Sequence, residues 1–271
     1  MHASHTKHMG VLTMRLFNLT VFATIFTVLA AGCASQKNPA IAKMLDRKEI
    51  KVGLESNFKP LVFKEGKSLK GMEPDLMAKI GNITGAKMTV TEMAWNDLIP
   101  ALEAGKIDII MSGMTITEER KKKVNFSYPY IKVGQMAIMR TASIKDFSSA
   151  DKVMTTNKKV GFIKGTTGDF FVNAKCAKAE KVPLAKTSDG IKALADGKID
   201  VFIIDAPVVW EMSNPKLTPL LEPLTEEYLA WAVRKNDKTL LDTMNKCLEQ
   251  MKKDGSLDSI EKRWVPQLLL N

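Results

Sequence analysis

Apolar residues in this chain come in short unbroken runs rather than in strict alternation. Ile107 with Ile109, Ile110 and Met111 breaks into Ser112-Gly113-Met114-Thr115, and then into the charged stretch Glu118-Glu119-Arg120-Lys121-Lys122-Lys123. A run of this kind predicts a strand buried on both faces, with Ser112, Gly113 and Thr115 emerging at its carboxyl end, where open α/β sheets bind their ligands. Thr117 is placed to cap a short helix. Glu118 and Glu119 suit the positive helix end, whereas Arg120 gains nothing from the dipole there, so its position hints at a task other than helix stability. The plain alternative is a solvated member of the Arg-Lys-Lys-Lys face.

The run belongs to a repeat. Ala101-Leu102-Glu103-Ala104-Gly105-Lys106-Ile107-Asp108 recurs 92 residues later as Ala193-Leu194-Ala195-Asp196-Gly197-Lys198-Ile199-Asp200, with six of eight residues identical. Each copy reads as a helix end, a glycine stop and a strand, and each follows an upstream Lys-Val-Gly, at Lys51–Gly53 and Lys159–Gly161. Two similar α/β units are therefore expected. Superposing the copies sets Asp205 at the place of Gly113, so both leave a sheet where two units can face each other. The opening strand of the first unit ends at Glu55, Ser56 and Phe58. That of the second ends in Lys164-Gly165-Thr166-Thr167-Gly168 ahead of a helix, a backbone arrangement that accepts anions but lacks the spacing of a P-loop.

Gln135–Arg140 and Tyr228–Arg234 are apolar stretches without turn residues, expected as two crossings between lobes. On that reading residues 45–138 plus 229–271 form lobe 1 and residues 139–228 form lobe 2. A closing helix carries Leu240, Met244, Cys247, Leu248 and Met251 at helical spacing, between Asp237 and Gly255, and should pack on lobe 1. Cys176 and Cys247 fall in different lobes, where a disulfide would oppose motion, so two buried thiols are expected.

The amino end has a different character. Leu16–Ala31 is an apolar run behind Arg15, too short for a membrane span and read as a signal peptide. Leu29-Ala30-Ala31-Gly32-Cys33 resembles the bacterial lipobox, making residues 1–32 a lipoprotein leader, Cys33 the lipidated residue and residues 33–44 a tether. Ordinary secretory cleavage nearby is the alternative, and Met14 gives a better proportioned leader than Met1.

Composition then removes function classes. The three histidines, His2, His5 and His8, all precede the expected cleavage point, which excludes histidine-assisted nucleophilic catalysis and the commonest zinc ligand from the mature chain. The net charge of +10 is diffuse and lacks aromatic interleaving, so nucleic-acid binding is not expected. The sixteen methionines read as core filling rather than a metal site.

Five stretches carry a family resemblance: Gly71-Met72-Glu73-Pro74-Asp75-Leu76, Trp95 to Leu102, Gly113 to Lys122, Lys164 to Gly168, and Ile204-Asp205-Ala206-Pro207. They resemble the bacterial extracellular solute-binding proteins of family 3, the polar amino-acid receptors of ABC importers, and the similarity runs from about Ile50 to Trp264. The resemblance implies an α/β, two-lobed type II periplasmic-binding-protein fold with two hinge strands and a cleft between lobes. By position, Arg120 matches the arginine that grips the ligand α-carboxylate, helped by the Gly113 backbone, the Thr115 hydroxyl and the Thr167-Gly168 amides. Asp205 matches the acid that takes the α-ammonium. Phe58 and Trp95 match aromatic walls, and Glu55 and Lys164 lie where side-chain selectivity is set. Glu73-Pro74 departs from the usual Asp-Val.

The physics of the pair agrees with the resemblance. A guanidinium makes two parallel bonds to a carboxylate, and an acid on the opposite lobe matches an ammonium, so closure becomes conditional on a zwitterion. The implied function is a lipid-anchored receptor on the periplasmic or cell-surface face of a bacterial membrane. It would work as a monomer without a cofactor, delivering an amino acid to an ABC permease and its ATPase. A sensor partner in place of a permease would use the same closed cleft. The alternative is a dehydratase of the cyclohexadienyl type on the same scaffold, for which Lys164 and Glu211 are the only nominees as acid or base. Glu55, Lys164 and Trp95 point to different ligand side chains, so the residues do not select one amino acid.

Overall fold

The apolar runs become strands in two five-stranded sheets with matching strand orders. In the computed structural model, which describes residues 37–265, the first sheet runs Lys87–Glu92, Glu49–Leu54, Ile109–Ile110, Ala232–Arg234, Val124–Phe126. The second runs Glu180–Leu184, Lys159–Ile163, Val201–Asp205, Gln135–Arg140, Leu217–Pro219. In each, the first three strands are parallel and the fourth is antiparallel to both neighbours. The registers also correspond, with Val52 opposite Ile109 in one sheet and Val160 opposite Val201 in the other. The leader over 1–32 and Cys33 lie outside the described residues.

Both sheets are covered on both faces, which is why their strands are written as continuous apolar runs. Met136, Ile138, Phe202 and Ile204 pack into a core on one side of the second sheet. Ala137, Met139, Val201 and Ile203 pack into another on the opposite side. The first sheet is divided the same way, with Ile109, Trp231 and Val233 on one face and Ile107, Ile110 and Ala232 on the other. The closing helix, Lys238–Lys253, starts where Asp237 accepts the Leu240 N–H at 3.1 Å and buries Leu240, Met244, Cys247, Leu248 and Met251 in the first lobe's core. Cys176 and Cys247 are free and buried. Burial pushes their thiols up to about 11 and about 12, respectively, so both stay protonated and inert at neutral pH.

The repeat explains its own residues. Asp108 accepts the Lys51 N–H at 2.9 Å and Asp200 the Lys159 N–H at 3.0 Å, each tying the repeat to the strand beside it. An arginine at the end of each fourth strand then binds the same acid: Arg234 to Asp108 at 2.9 Å, Arg140 to Asp200 at 3.0 Å. The glycine of each Lys-Val-Gly makes the same close contact. A Cβ on Gly53 would collide with Ile107 Cδ1, and one on Gly161 with Ile199 Cδ1, so each repeat isoleucine lies over bare backbone.

Two expectations are corrected. Gln135–Arg140 is no crossing; it is the fourth strand of the second sheet, and the boundary expected at 138/139 would cut through it. The chain passes between lobes on Ile131–Val133 and Glu227–Leu229, which pair antiparallel with Val133 opposite Glu227. Those strands have three residues each, too short for a period of their own, and the six-residue strand Gln135–Arg140 directly follows the first of them. The tether is also shorter than 33–44. Asn38 caps a helix at Pro39–Met44 and donates to Gln250 Oε1 at 2.8 Å, and Ile41 is buried against the first lobe. No helix among the described residues is long and apolar enough to cross a membrane.

Gly161→Ala should lower stability by about 1–3 kcal/mol, the usual range for overpacking a core, as measured by denaturant unfolding. An unchanged midpoint would show that Ile199 has room to move aside.

Candidate functional site

Parallel strands of both lobes end toward one cleft. Ile109–Ile110 leads through Ser112 to Gly113, which adopts φ +63° and lies against the Phe58 ring, so a Cβ there would stand 2.7 Å from Phe58 Cε1. The Gly113 N–H donates to Glu73 Oε1 at 2.8 Å. Glu73 is fully buried in the helix Met72–Thr84 and also accepts from Tyr130 Oη at 2.6 Å and Trp231 Nε1 at 3.1 Å. Burial raises its carboxyl above the usual range, and those three donors pull it back. Glutamate at position 73 therefore has a structural task, holding the Gly113 turn from beneath. It also commits the Gly113 N–H, which is not free to help with a ligand carboxylate.

Arg120 enters from the short helix Glu118–Lys123, whose first turn is capped by Thr117 Oγ1 accepting the Arg120 N–H at 3.1 Å. Its guanidinium bonds back to the Thr115 carbonyl at 2.9 Å and across to the Gly165 carbonyl of the other lobe at 3.3 Å. Trp95 holds it in place. The guanidinium carbon lies 5.1 Å from the indole centroid, and Trp95 Nε1 donates to the same Gly165 oxygen at 3.0 Å. Arg120 is only 6% exposed, and burial lowers it to about 10, with Asp205 and Glu227 acting in the opposite sense, so it remains a cation at neutral pH.

The opposite wall comes from the second lobe. Thr166 caps the helix Thr167–Lys175, placing Thr167 and Gly168 in its first turn, where backbone N–H groups have no intrahelical acceptor. Asp205 ends the strand Val201–Asp205, is 7% exposed, and accepts from Gln135 Nε2 at 3.1 Å. Its carboxyl is raised to about 7, first by burial and then by the neighbouring Glu227. Glu55 is half-buried at the cleft; burial raises it and Lys186 pulls it down. The space between these walls is about 460 Å³, open solvent at the mouth included.

Of the residues singled out from sequence, Glu55, Phe58, Trp95, Gly113, Thr115, Arg120, Thr167 and Asp205 line this space together. Gly168 sits just behind, buried against Gln135 Oε1. Lys164 does not join them. It is exposed in the turn that follows the strand, whose last residue, Ile163, lines the cleft instead. Sequence reasoning missed Glu227, which is 8% exposed and accepts from Thr115 Oγ1 at 2.9 Å and Thr167 Oγ1 at 2.8 Å. Its signal was an acid pair directly before an apolar run. The lobes also meet outside the cavity, through the Lys59–Glu211 ion pair and an Asn57 to Ser188 bond at 3.4 Å, so the cleft is closed.

Known proteins share this fold. The crystal structure of an ancestral amino acid-binding protein, described as a precursor of cyclohexadienyl dehydratase, is 32% identical with a TM-score of 0.78, covering 83% of this chain and 99% of that one. A putative ABC-transporter binding component from Wolinella succinogenes complexed with lysine is 32% identical with a TM-score of 0.77, covering 81% and 97%. These neighbours carry the type II periplasmic-binding fold. A probable histidine-binding protein of Neisseria gonorrhoeae is 32% identical over 248 residues, 86% of this chain and 90% of that protein. With the family model matching residues 50–267, the chain belongs to the bacterial extracellular solute-binding proteins, family 3.

Proposed function

We propose that this protein is an extracytoplasmic receptor that closes its two lobes on an amino acid and delivers it to an ABC importer. The observation that carries the reading is the pairing of Arg120 and Asp205 on opposite walls of one closed cleft. Arg120 takes the α-carboxylate and Asp205 the α-ammonium, with Phe58 and Trp95 as walls and the Thr167-Gly168 amides at the anionic end. Lipid anchoring through Cys33 rests on the Leu29–Cys33 motif, and a monomer suffices because one chain supplies both walls.

The ligand class follows from counting charge. Glu55, Asp205 and Glu227 stand at the cleft against the guanidinium of Arg120, with Lys186 the one further cation acting on Glu55. The α-groups of a zwitterion answer Arg120 and Asp205, which leaves Glu55 for the side chain and favours a cationic one. Lys164, the residue that would have favoured an acidic ligand, is exposed. The histidine and lysine named for two relatives agree with this choice. The dehydratase reading draws on the description of one neighbour, but neither nominee supports it: Lys164 lies outside the cleft lining, and Glu211 pairs with Lys59.

Three outcomes are expected. In a thermal-shift screen, L-arginine, L-lysine or L-histidine should stabilise the protein and L-glutamate should not. A ligand at 100 times its Kd adds ~2.7 kcal/mol. Arg120→Ala and Asp205→Asn should each abolish that stabilisation, and a variant that keeps it in full loses its assigned role.

Affinity should also depend on pH, because the ligand ammonium needs Asp205 ionised and so lowers its raised pKa. Binding is then strongest above pH 7 and weakens by up to about tenfold per unit as pH falls below it, with proton release on binding. Calorimetry in buffers of different ionisation enthalpy measures both, and affinity that stays flat from pH 8 to 5 would contradict the role of Asp205. Incubation with prephenate or arogenate should give no turnover, and turnover would install the dehydratase in place of the receptor.

A further inference from the structure

Thr115 on the first lobe and Thr167 on the second both face the cleft, and a hydroxyl has one proton to donate and two lone pairs to offer. Both protons are committed to one acid. Thr115 Oγ1 donates to Glu227 Oε2 at 2.9 Å, and Thr167 Oγ1 donates to the same oxygen at 2.8 Å. Thr225 Oγ1 donates to the other oxygen, Oε1, at 2.8 Å. Among the described residues Glu227 thus accepts three hydroxyl bonds. Gln135 Nε2 donates into Thr167 Oγ1 at 3.0 Å, and so leaves Thr167 no acceptor on that side. The same amide holds Asp205 Oδ1, and Glu227 lies near enough to Asp205 and Arg120 to act on both electrostatically.

We propose that Glu227 is a positioning residue that sets the polarity of the cleft. By holding both threonine protons it turns only lone pairs toward the ligand, so that Thr115, Thr167 and Asp205 form an acceptor-only cradle for the α-ammonium. The α-carboxylate is thereby confined to Arg120 and the helix amides. This reverses the expectation that the Thr115 hydroxyl helps with the carboxylate. Because Thr115 and Thr167 belong to different lobes and Glu227 to a crossing strand, the cradle is complete only when the lobes close, and ammonium recognition is coupled to closure. An ammonium in the cradle also relieves the repulsion between Asp205 and Glu227.

The proposal rests on the amino-acid reading above, and the test separates the two. Kd is measured by calorimetry for three matched pairs that differ by the α-ammonium: L-arginine and 5-guanidinopentanoate, L-lysine and 6-aminohexanoate, L-glutamine and 4-carbamoylbutanoate. The wild type should prefer the amino acid of at least one pair by 100-fold or more. Glu227→Gln keeps the size but lets its amide donate to a threonine, which frees that hydroxyl's proton into the cleft. Its preference for the amino acid should fall at least tenfold, with the analogue lacking the ammonium binding as well as before or better. Thr115→Val/Thr167→Val should lower the preference likewise without altering the crossing strand, and this comparison stands even where Glu227→Gln does not fold. A folded Glu227→Gln with unchanged preference would leave Glu227 a hinge support only and overturn the proposal while sparing the receptor. A wild type that binds none of the twenty amino acids in the thermal-shift screen would overturn the receptor reading and this proposal with it.

Discussion

Two opposite charges buried in one cleft without touching each other govern this molecule. Arg120 and Asp205 are nearly sealed from solvent, yet Arg120 forms no ion pair within 4.0 Å among the described residues. Its partners are two carbonyls and the face of Trp95, and Asp205 is held by Gln135. Removing such groups from water costs on the order of several kcal/mol per ion, and the carboxyl responds by rising to about 7. A zwitterion offers each group the countercharge it lacks. Closure and occupancy are therefore linked by desolvation, which is how a small ligand biases a two-state hinge.

The scaffold brings these charges together by using one design twice. Each sheet takes its fourth strand directly after a crossing between lobes, and an arginine at the end of that strand binds the aspartate of the repeat. This duplication was legible because it is written in local, identical residues: the eight-residue repeat and the Lys-Val-Gly triplets, whose glycines lie against the repeat isoleucines. Eight cleft residues were legible too, since sheet ends and helix starts follow from patterning and the family resemblance named their positions.

What escaped the sequence depends on contacts far apart in the chain. Glu227 gains its meaning from hydroxyls 112 and 60 residues away, and nothing in Glu226-Glu227-Tyr228 separates the buried acid from the exposed one beside it. Glu73 read as a departure from a motif, but three buried donors converge on it beneath Gly113. Lys164 was misplaced for a local reason: the strand ends one residue earlier, at Ile163, and Lys164 belongs to the exposed turn. The crossing strands were misplaced because three-residue strands have no period to detect, while the stronger run of Gln135–Arg140 follows one of them. Asn38–Met44 looked like tether because its helix is too short to announce itself without the packing of Ile41.

A crystal structure of the protein grown with L-arginine or L-lysine is the most direct measurement. The α-carboxylate should accept two bonds from Arg120, and the α-ammonium should lie within hydrogen-bond distance of Asp205, Thr115 and Thr167. A ligand bound in the reverse sense, or held anywhere other than between these two lobes, would contradict the role assigned to the opposed charges.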